Sequence, residues 1–472
     1  MSFTSLWYFP VLGIVAVCHR FLDSRLKPCF LLAVSWLLYG LFGWGHLGLL
    51  LFVTGISYLT GILLEGRRKR DVFILASGVL IVAGVLFYVK YFAMALSWIG
   101  TAAGLLGREL TFSERYVILP VGISFYTFQA LSYMVDVYRG GRKERSFVKY
   151  ALYISFFPQL VAGPIEQAGC LIPQLTGKRA SREDLRIGGR YLLSGCVRKF
   201  VIADYLAVFV DAAYGNVMQQ SGISLLLATF FFAIQIYCDF SGYTHMAIGS
   251  ARLLGIRLTE NFDRPYLATG CRDFWKRWHI TLTRWFTEYV YIPLGGNRKG
   301  AVRKYCNIMI VFLLSGLWHG ADLTFLCWGA FFGIWRIAEE LGKKAKGGKS
   351  MEAAEERTGK IRMQRLATFL LVCISWVIFR SASLGEAIEV LRRIFLLEGG
   401  WRPVLGITEM AGAALRVGIL ALLPGILKSG EAEENKGMKE GYLVTVLLFL
   451  TAVNLLALFN KGGGSSFIYF QF

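Results

Sequence analysis

Residues 311–333 read VFLLSGLWHGADLTFLCWGAFFG, the centre of an apolar run extending from about 305 to 337, with His319 near its middle and Asp322 as the formal charge beside it. A straight helix over 305–337 would be about 50 Å long, against a hydrocarbon core of about 30 Å. The segment must therefore tilt strongly or break, and SGLWHGAD (315–322) holds two glycines where a break fits. A run of this length and composition belongs in a bilayer.

The rest of the chain agrees. Only 17% of its 472 residues are charged and 55% are hydrophobic, whereas an ordinary soluble domain is about 25% charged. The net charge of +20 sits in short basic runs that flank apolar segments, so anionic lipid headgroups explain it better than nucleic acid does. Nine cysteines are scattered singly, without a CxxC pair or the spacing of a zinc site, and read as small buried hydrophobes. These features predict an all-α polytopic membrane protein, one transmembrane domain over 1–472 with a polar cytoplasmic loop at 342–362.

An uncleaved first helix precedes candidate membrane helices near 30–44, 47–64, 72–92, 116–137, 147–165, 191–213, 222–250, 305–337, 364–380, 385–397, 413–427 and 441–459. The short segments 147–165 and 385–397 are expected to be re-entrant or to lie along the interface. Basic runs at 65–71, 139–149, 178–190 and 298–304 assign those loops to the cytoplasm, which leaves 93–115 outside. The Pro and Gly residues of FFPQLVAGPIEQ (156–167) suit a broken segment whose freed backbone groups find partners inside the bundle. No internal repeat is visible. The closing FIYFQF is expected at headgroup level, and Asn454 and Asn460 would need partners inside the bundle.

Ionisable side chains at membrane depth are costly and mark function. Of the five histidines, His19 and His46 are expected at the interface. His245 shares QIYCDFSGYTHMAIGSARLLG (235–255) with Asp239, which should pair with a cation or accept several hydrogen bonds. His279 stands in CRDFWKRWHITLTRWFTEYVYIPLGGNRKG (271–300), whose Trp275, Trp278 and Trp285 with Arg272, Lys276, Arg277 and Arg284 read as an amphipathic interfacial segment able to grip phosphates. His319 is the sharpest signal. A buried imidazole is favoured in its uncharged form, which can take a proton from a hydroxyl, and the neighbouring glycines would let a long substrate pass close to the backbone. The chain has no GxSxG, HExxH, CxxC or glycine-rich phosphate loop, which argues against a serine enzyme, a zinc hydrolase, a dithiol exchanger or a nucleotide-binding loop, and no metal is expected.

Taken together, WHGAD (318–322), DFSGYTHMAIG (239–249) and FWKRWHITLTRWFTEYVYIPLGGN (274–297) resemble the membrane-bound O-acyltransferase family, in its branch of alginate O-acetyltransferase membrane subunits. The likeness continues through LPVGISFYTFQALSYMVDVYRG (119–140), FFPQLVAGPI (156–165), LTENFDRPYLA (258–268) and FIYFQF (467–472). The resemblance implies a bundle of about eleven spans around a central tunnel in the bacterial inner membrane, with His319 catalytic and His279 its second histidine. It also implies acetyl-CoA as acyl donor, a polysaccharide acceptor and extracytoplasmic acetyltransferase or esterase-like partners. The chain departs from the branch at Glu166 and Gln167, where an apolar and a basic residue are common, and at His245, where Asp is common.

The expected chemistry is acyl transfer from a cytoplasmic thioester. Arg298 and Lys299 would help at the mouth. Substrate contacts are expected at Trp275, Arg277, Trp278, Trp318, Asp239 and Asn261, with His279, Trp278, Trp318 or Asn261 donating to the oxyanion. One alternative is D-alanyl transfer to teichoic acid from the phosphopantetheine of a carrier protein. A transporter or flippase is an alternative of another class, although such folds commonly repeat a half.

Overall fold

The computed structural model describes residues 7–400 apart from 67, 106–118, 162, 178 and 346–353, together with 410, 412–418 and 420. The described secondary structure is helical, with no strand among the described residues. It divides into two compact units, Met1–Gly188 with Ala247–Thr259, and Gly189–Met246 with Glu260–Phe472. Five described helices are long and apolar enough to cross a membrane: Trp44–Leu63, Lys69–Lys90, Gly222–Leu253, Ala301–His319 and Thr358–Arg380. The protein is therefore a multi-pass all-α membrane protein, but the described residues do not supply about eleven such helices. Several expected spans are shorter or interrupted, while the one at 441–459, most of 413–427, the two asparagines and the FIYFQF end lie outside the described residues.

The first unit contains α1 (Tyr8–Phe21), α2 (Lys27–Gly40), α3 (Trp44–Leu63), α4 (Lys69–Lys90), α5 (Phe92–Leu105), α6 (Ile123–Tyr138), α7 (Phe147–Ser155) and the single turns α8 (Phe157–Leu160) and α9 (Ala168–Leu171). The break expected within 147–165 falls at Phe156, whose ψ of 108° leaves the helix. Pro158 causes it, because proline cannot donate to the carbonyl one turn back and its ring clashes there. The amide freed at Phe157 donates to Ser35 Oγ at 3.2 Å, inside the unit. Glu166 is also accounted for here: its carboxylate accepts from Thr259 N–H at 2.5 Å and Thr259 Oγ at 3.1 Å. His19 is buried within this unit.

Most of the second unit follows from α10 (Arg182–Cys196), which begins in the first unit, through a π-helix at Val197–Ala203, to α11 (Asp204–Tyr214), α12 (Gly222–Leu253), α13 (Cys271–Arg277) and α14 (Ile280–Phe286). After a second π-helix at Thr287–Tyr291 come α15 (Ala301–His319), α16 (Leu323–Ala345), α17 (Ala354–Arg380) and α18 (Leu384–Leu396). The run 305–337 is thus a helical hairpin broken at 320–322. Backbone proximity fixes it: a Cβ at Gly316 would lie 2.2 Å from the Phe325 carbonyl oxygen, and one at Gly329 would lie 2.3 Å from that of Phe312. A Cβ on Gly320 would strike the Phe325 ring at 2.0 Å. Those glycines admit α16; they are not the substrate slot that the sequence suggested.

The expected loop at 342–362 is shorter than its polarity implied, since α16 extends to Ala345 and α17 begins at Ala354. Ala, Lys, Glu and Arg are good helix formers, so a polar stretch need not be a coil. At 385–397 the chain forms α18, capped by the Ser383 hydroxyl accepting from Glu386 N–H at 3.1 Å. Its 13 residues span only about 20 Å, too little to cross.

Candidate active site

The segment 271–300 is not a continuous surface helix. It breaks at His279, which takes a left-handed conformation (φ 44°, ψ 54°) between α13 and α14. A non-glycine residue held there stores strain that its surroundings must sustain. Asn261 sustains it: its backbone carbonyl accepts from Ile280 N–H at 3.0 Å, and its Oδ1 accepts from Thr281 N–H at 3.1 Å and Thr281 Oγ at 3.0 Å. The same Oδ1 lies 3.2 Å from His279 Nδ1.

This arrangement selects the tautomer. A backbone N–H can only donate, so the atom facing Thr281 must be the amide oxygen, and His279 Nδ1 must carry a proton to bond with it. In the neutral ring the lone pair then belongs to Nε2. His279 is thereby an acceptor at Nε2, which corrects the expectation that it could donate to an oxyanion.

His319 is the last residue of α15 and is 4% exposed. Its ring is enclosed by Trp318, Trp328 and Phe379, with centroids 4.8, 4.9 and 5.3 Å away. Trp318 also lies 5.8 Å from the His279 ring. One indole therefore touches both imidazoles, and the tertiary structure brings together two histidines forty positions apart in sequence. His319 lies beside the hairpin turn and not in the middle of a helix, while Asp322 is exposed there.

A cavity of about 510 Å³ runs alongside, framed by α13, α14, α15 and α16. On α15 it follows Lys304, Ile308, Phe312 and Ser315, one helical face. The next position on that face is His319. At the basic end stand Arg272, Lys276, Lys304 and Arg336, against the single carboxylate of Glu340. Glu340 is engaged by Arg336 at 2.5 Å and by Lys304. The side chains of Arg272 and Lys276 have no acidic partner among the described residues. Four cations around one carboxylate suit a polyanion such as a phosphorylated thioester, and the apolar far end, with Trp275 and Phe312, suits its uncharged arm.

The structure sorts the expected contacts. Trp275 lines the cavity, Trp318 joins the histidines and Asn261 supports His279. Arg277 does not line the cavity; it is paired with Asp273 at 2.8 Å and Asp263 at 3.4 Å. Trp278 is 1% exposed and packed among Phe262, Phe274 and Trp376 as core. Asp239 binds Lys199 Nζ at 2.6 Å, and Lys199 reaches Asp204 at 2.8 Å. That buried triad stands where the π-helix turns Lys199 inward, so Asp239 has the cation its burial required and is not a lining residue. His245 packs with Ser194, 3.1 Å from its Nδ1, and with the Tyr191 ring. Arg298 and Lys299 are not among the lining residues either. Lys304, Ser315 and Arg336 were not expected at the cavity; for the first two, the i, i+4, i+8, i+11, i+15 series from Lys304 to His319 was the available signal.

Residues 123–341 match the family model described as MBOAT, membrane-bound O-acyltransferase family. The chain is 36% identical over 408 residues to a probable alginate O-acetylase of Pseudomonas syringae pv. tomato, covering 85% of this chain and 76% of that protein. It is also 36% identical to a peptidoglycan O-acetyltransferase of Helicobacter pylori, across 61% of this chain and 59% of that one. A teichoic acid D-alanyltransferase of Bacillus subtilis is 26% identical across 48% of this chain and 61% of its own length.

Proposed function

Because the chain belongs to the membrane-bound O-acyltransferase family, we propose that this inner-membrane enzyme moves an acetyl group from a cytoplasmic thioester toward hydroxyls of an extracytoplasmic polysaccharide. The observation that carries the reading is the alignment on one face of α15: a basic mouth at Lys304, an apolar passage to Ser315, and His319 one turn further. From Lys304 to His319 that face rises about 22 Å, which separates a cytoplasmic entrance from the reacting centre by most of a hydrocarbon core. The whole bundle, on this reading, has about eleven spans, with shorter and broken helices completing the set.

The thioester is a substrate, consumed in each turnover. Arg272 and Lys276, with Lys304 and Arg336, hold its phosphates, and acetyl-CoA fits that donor set. His319 accepts the proton of the acceptor hydroxyl as its oxygen bonds to the carbonyl carbon. The carbonyl π pair moves onto oxygen, then returns as the C–S bond breaks, and the departing thiolate takes the proton from His319. His279, fixed by Asn261 with its lone pair at Nε2, accepts a hydrogen bond from the acceptor hydroxyl or the donor's amide and so orients the reactants. Extracytoplasmic acetyltransferase or esterase-like proteins would complete delivery to polymer.

The acetyl reading is preferred to D-alanyl transfer because the O-acetylating relatives share more identity over more of the chain. Purified protein in nanodiscs is supplied with acetyl-CoA and oligosaccharide acceptors, and in parallel with a D-alanyl carrier thioester. Acceptor-dependent thiol release from acetyl-CoA alone is expected. Release only from the carrier would replace the acetyl reading with the D-alanyl one, and release from neither would reject both donors.

A further inference from the structure

The indole Nε1 atoms of Trp275 and Trp328 are buried and have no hydrogen-bond partner among the described residues. A buried donor left unpaired is expensive and needs an explanation. These two are not scattered. Trp275 lines the donor cavity, Trp328 lies 5.8 Å from it, and His319 lies 4.9 Å beyond Trp328. Trp328 is 1% exposed, with Phe332 and Phe379 packed on it at 5.1 and 5.4 Å. The ring that carries the Trp328 N–H therefore packs on one side against the proposed general base and on the other against Trp275 of the cavity wall.

We propose, resting on the acyl-transfer reading, that Trp328 is a catalytic residue whose Nε1–H donates to the thioester carbonyl oxygen as that oxygen becomes the oxyanion. Two of the other donors considered for this task are less suited. His279 presents a lone pair at Nε2, and Trp278 is packed in the core. When the acceptor oxygen adds to the carbonyl carbon, the π pair localises on oxygen and the Trp328 hydrogen bond strengthens. When the pair returns and the C–S bond breaks, the bond weakens again. Such an interaction is worth more in the transition state than in the ground state, in a site from which aromatic rings exclude water.

Trp328→Phe removes the N–H and keeps an aromatic ring. Turnover and kcat/KM for acetyl-CoA are expected to fall together by about 10²–10³-fold, with KM changed less than about twofold. Turnover within about threefold of wild type, or a loss carried by KM alone, overturns the proposal. A second readout needs no variant. Acetonyl-CoA labelled with ¹³C at its ketone is bound to the wild-type protein, and its carbonyl stretch is read by isotope-edited infrared spectroscopy. A shift to lower frequency relative to hydrocarbon solvent is expected, and it should disappear in W328F. A wild-type band at the hydrocarbon position overturns the proposal even if W328F fails to fold. Wild-type protein that does not turn over acetyl-CoA at all refutes the donor reading and this role with it, whereas normal wild-type turnover with an unaffected W328F refutes Trp328 alone.

Discussion

Ser315 and His319 occupy the same face of α15, one turn apart, and the basic cavity that follows this face has Ser315 among its lining residues but not His319. Between the cavity wall and the His319 ring lie the indoles of Trp275 and Trp328. On the proposed reading, a thioester arm that enters at Lys304 has to pass these indoles to reach the imidazole.

His319→Ala should lower acetyl transfer by at least about 10²–10⁴-fold, the usual contribution of a general base. The protein should remain folded in detergent, because the ring closes an α15 end already fixed by the Gly316 and Gly329 contacts. Steady-state thiol release combined with size-exclusion profiles checks this. Near-normal transfer by a folded H319A would remove the imidazole from the chemistry.

Arg272 and Lys276, whose side chains have no acidic partner among the described residues, should act on donor binding. A hydrogen bond to a charged group is worth about 1.5–3 kcal/mol, so Arg272→Gln with Lys276→Gln should raise KM for acetyl-CoA at least about tenfold while kcat changes little. S-acetylpantetheine lacks the phosphates and should show no such penalty. Equal effects on both donors would place these side chains outside the phosphate site.

Asn261→Ala should lower turnover and thermal stability together. It removes an acceptor for three donors around a left-handed residue, at a cost of about 1–3 kcal/mol for a buried group left unpaired. His279→Ala should reduce turnover with a smaller thermal shift, since alanine in that backbone conformation leaves the Thr281 bonds to Asn261 intact. Parallel melting curves and rates on the two variants separate orientation from folding.

Lys199→Met leaves Asp239 and Asp204 buried without their shared cation and should destabilise the protein by about 3–5 kcal/mol. Adding Asp239→Leu and Asp204→Leu should recover much of that loss if the triad is structural. Melting in detergent reads both. Stability restored with activity still abolished would instead make Asp239 part of the chemistry.

Composition and the spacing of apolar runs were sufficient to establish a polytopic helical membrane protein, because in lipid only helices and closed barrels satisfy the backbone, and apolar runs near twenty residues have the length of helices. They also located the break beside His319, since a 305–337 helix is too long for the bilayer and glycine-rich segments are where such a helix yields. Length could not show which apolar runs complete a span: 147–165 is cut by Pro158, and 191–213 is interrupted by a π-helix that turns Lys199 toward Asp239. Nor could periodicity tell Arg277, held by two aspartates, from Arg272 and the adjacent Lys276 at the cavity. Only the fold decided which indole joins the histidines, which nitrogen of His279 bears the proton, and which glycines are filled by a neighbouring helix. Those outcomes depend on contacts between residues distant in sequence, where a few ångströms separate a ligand contact from core packing.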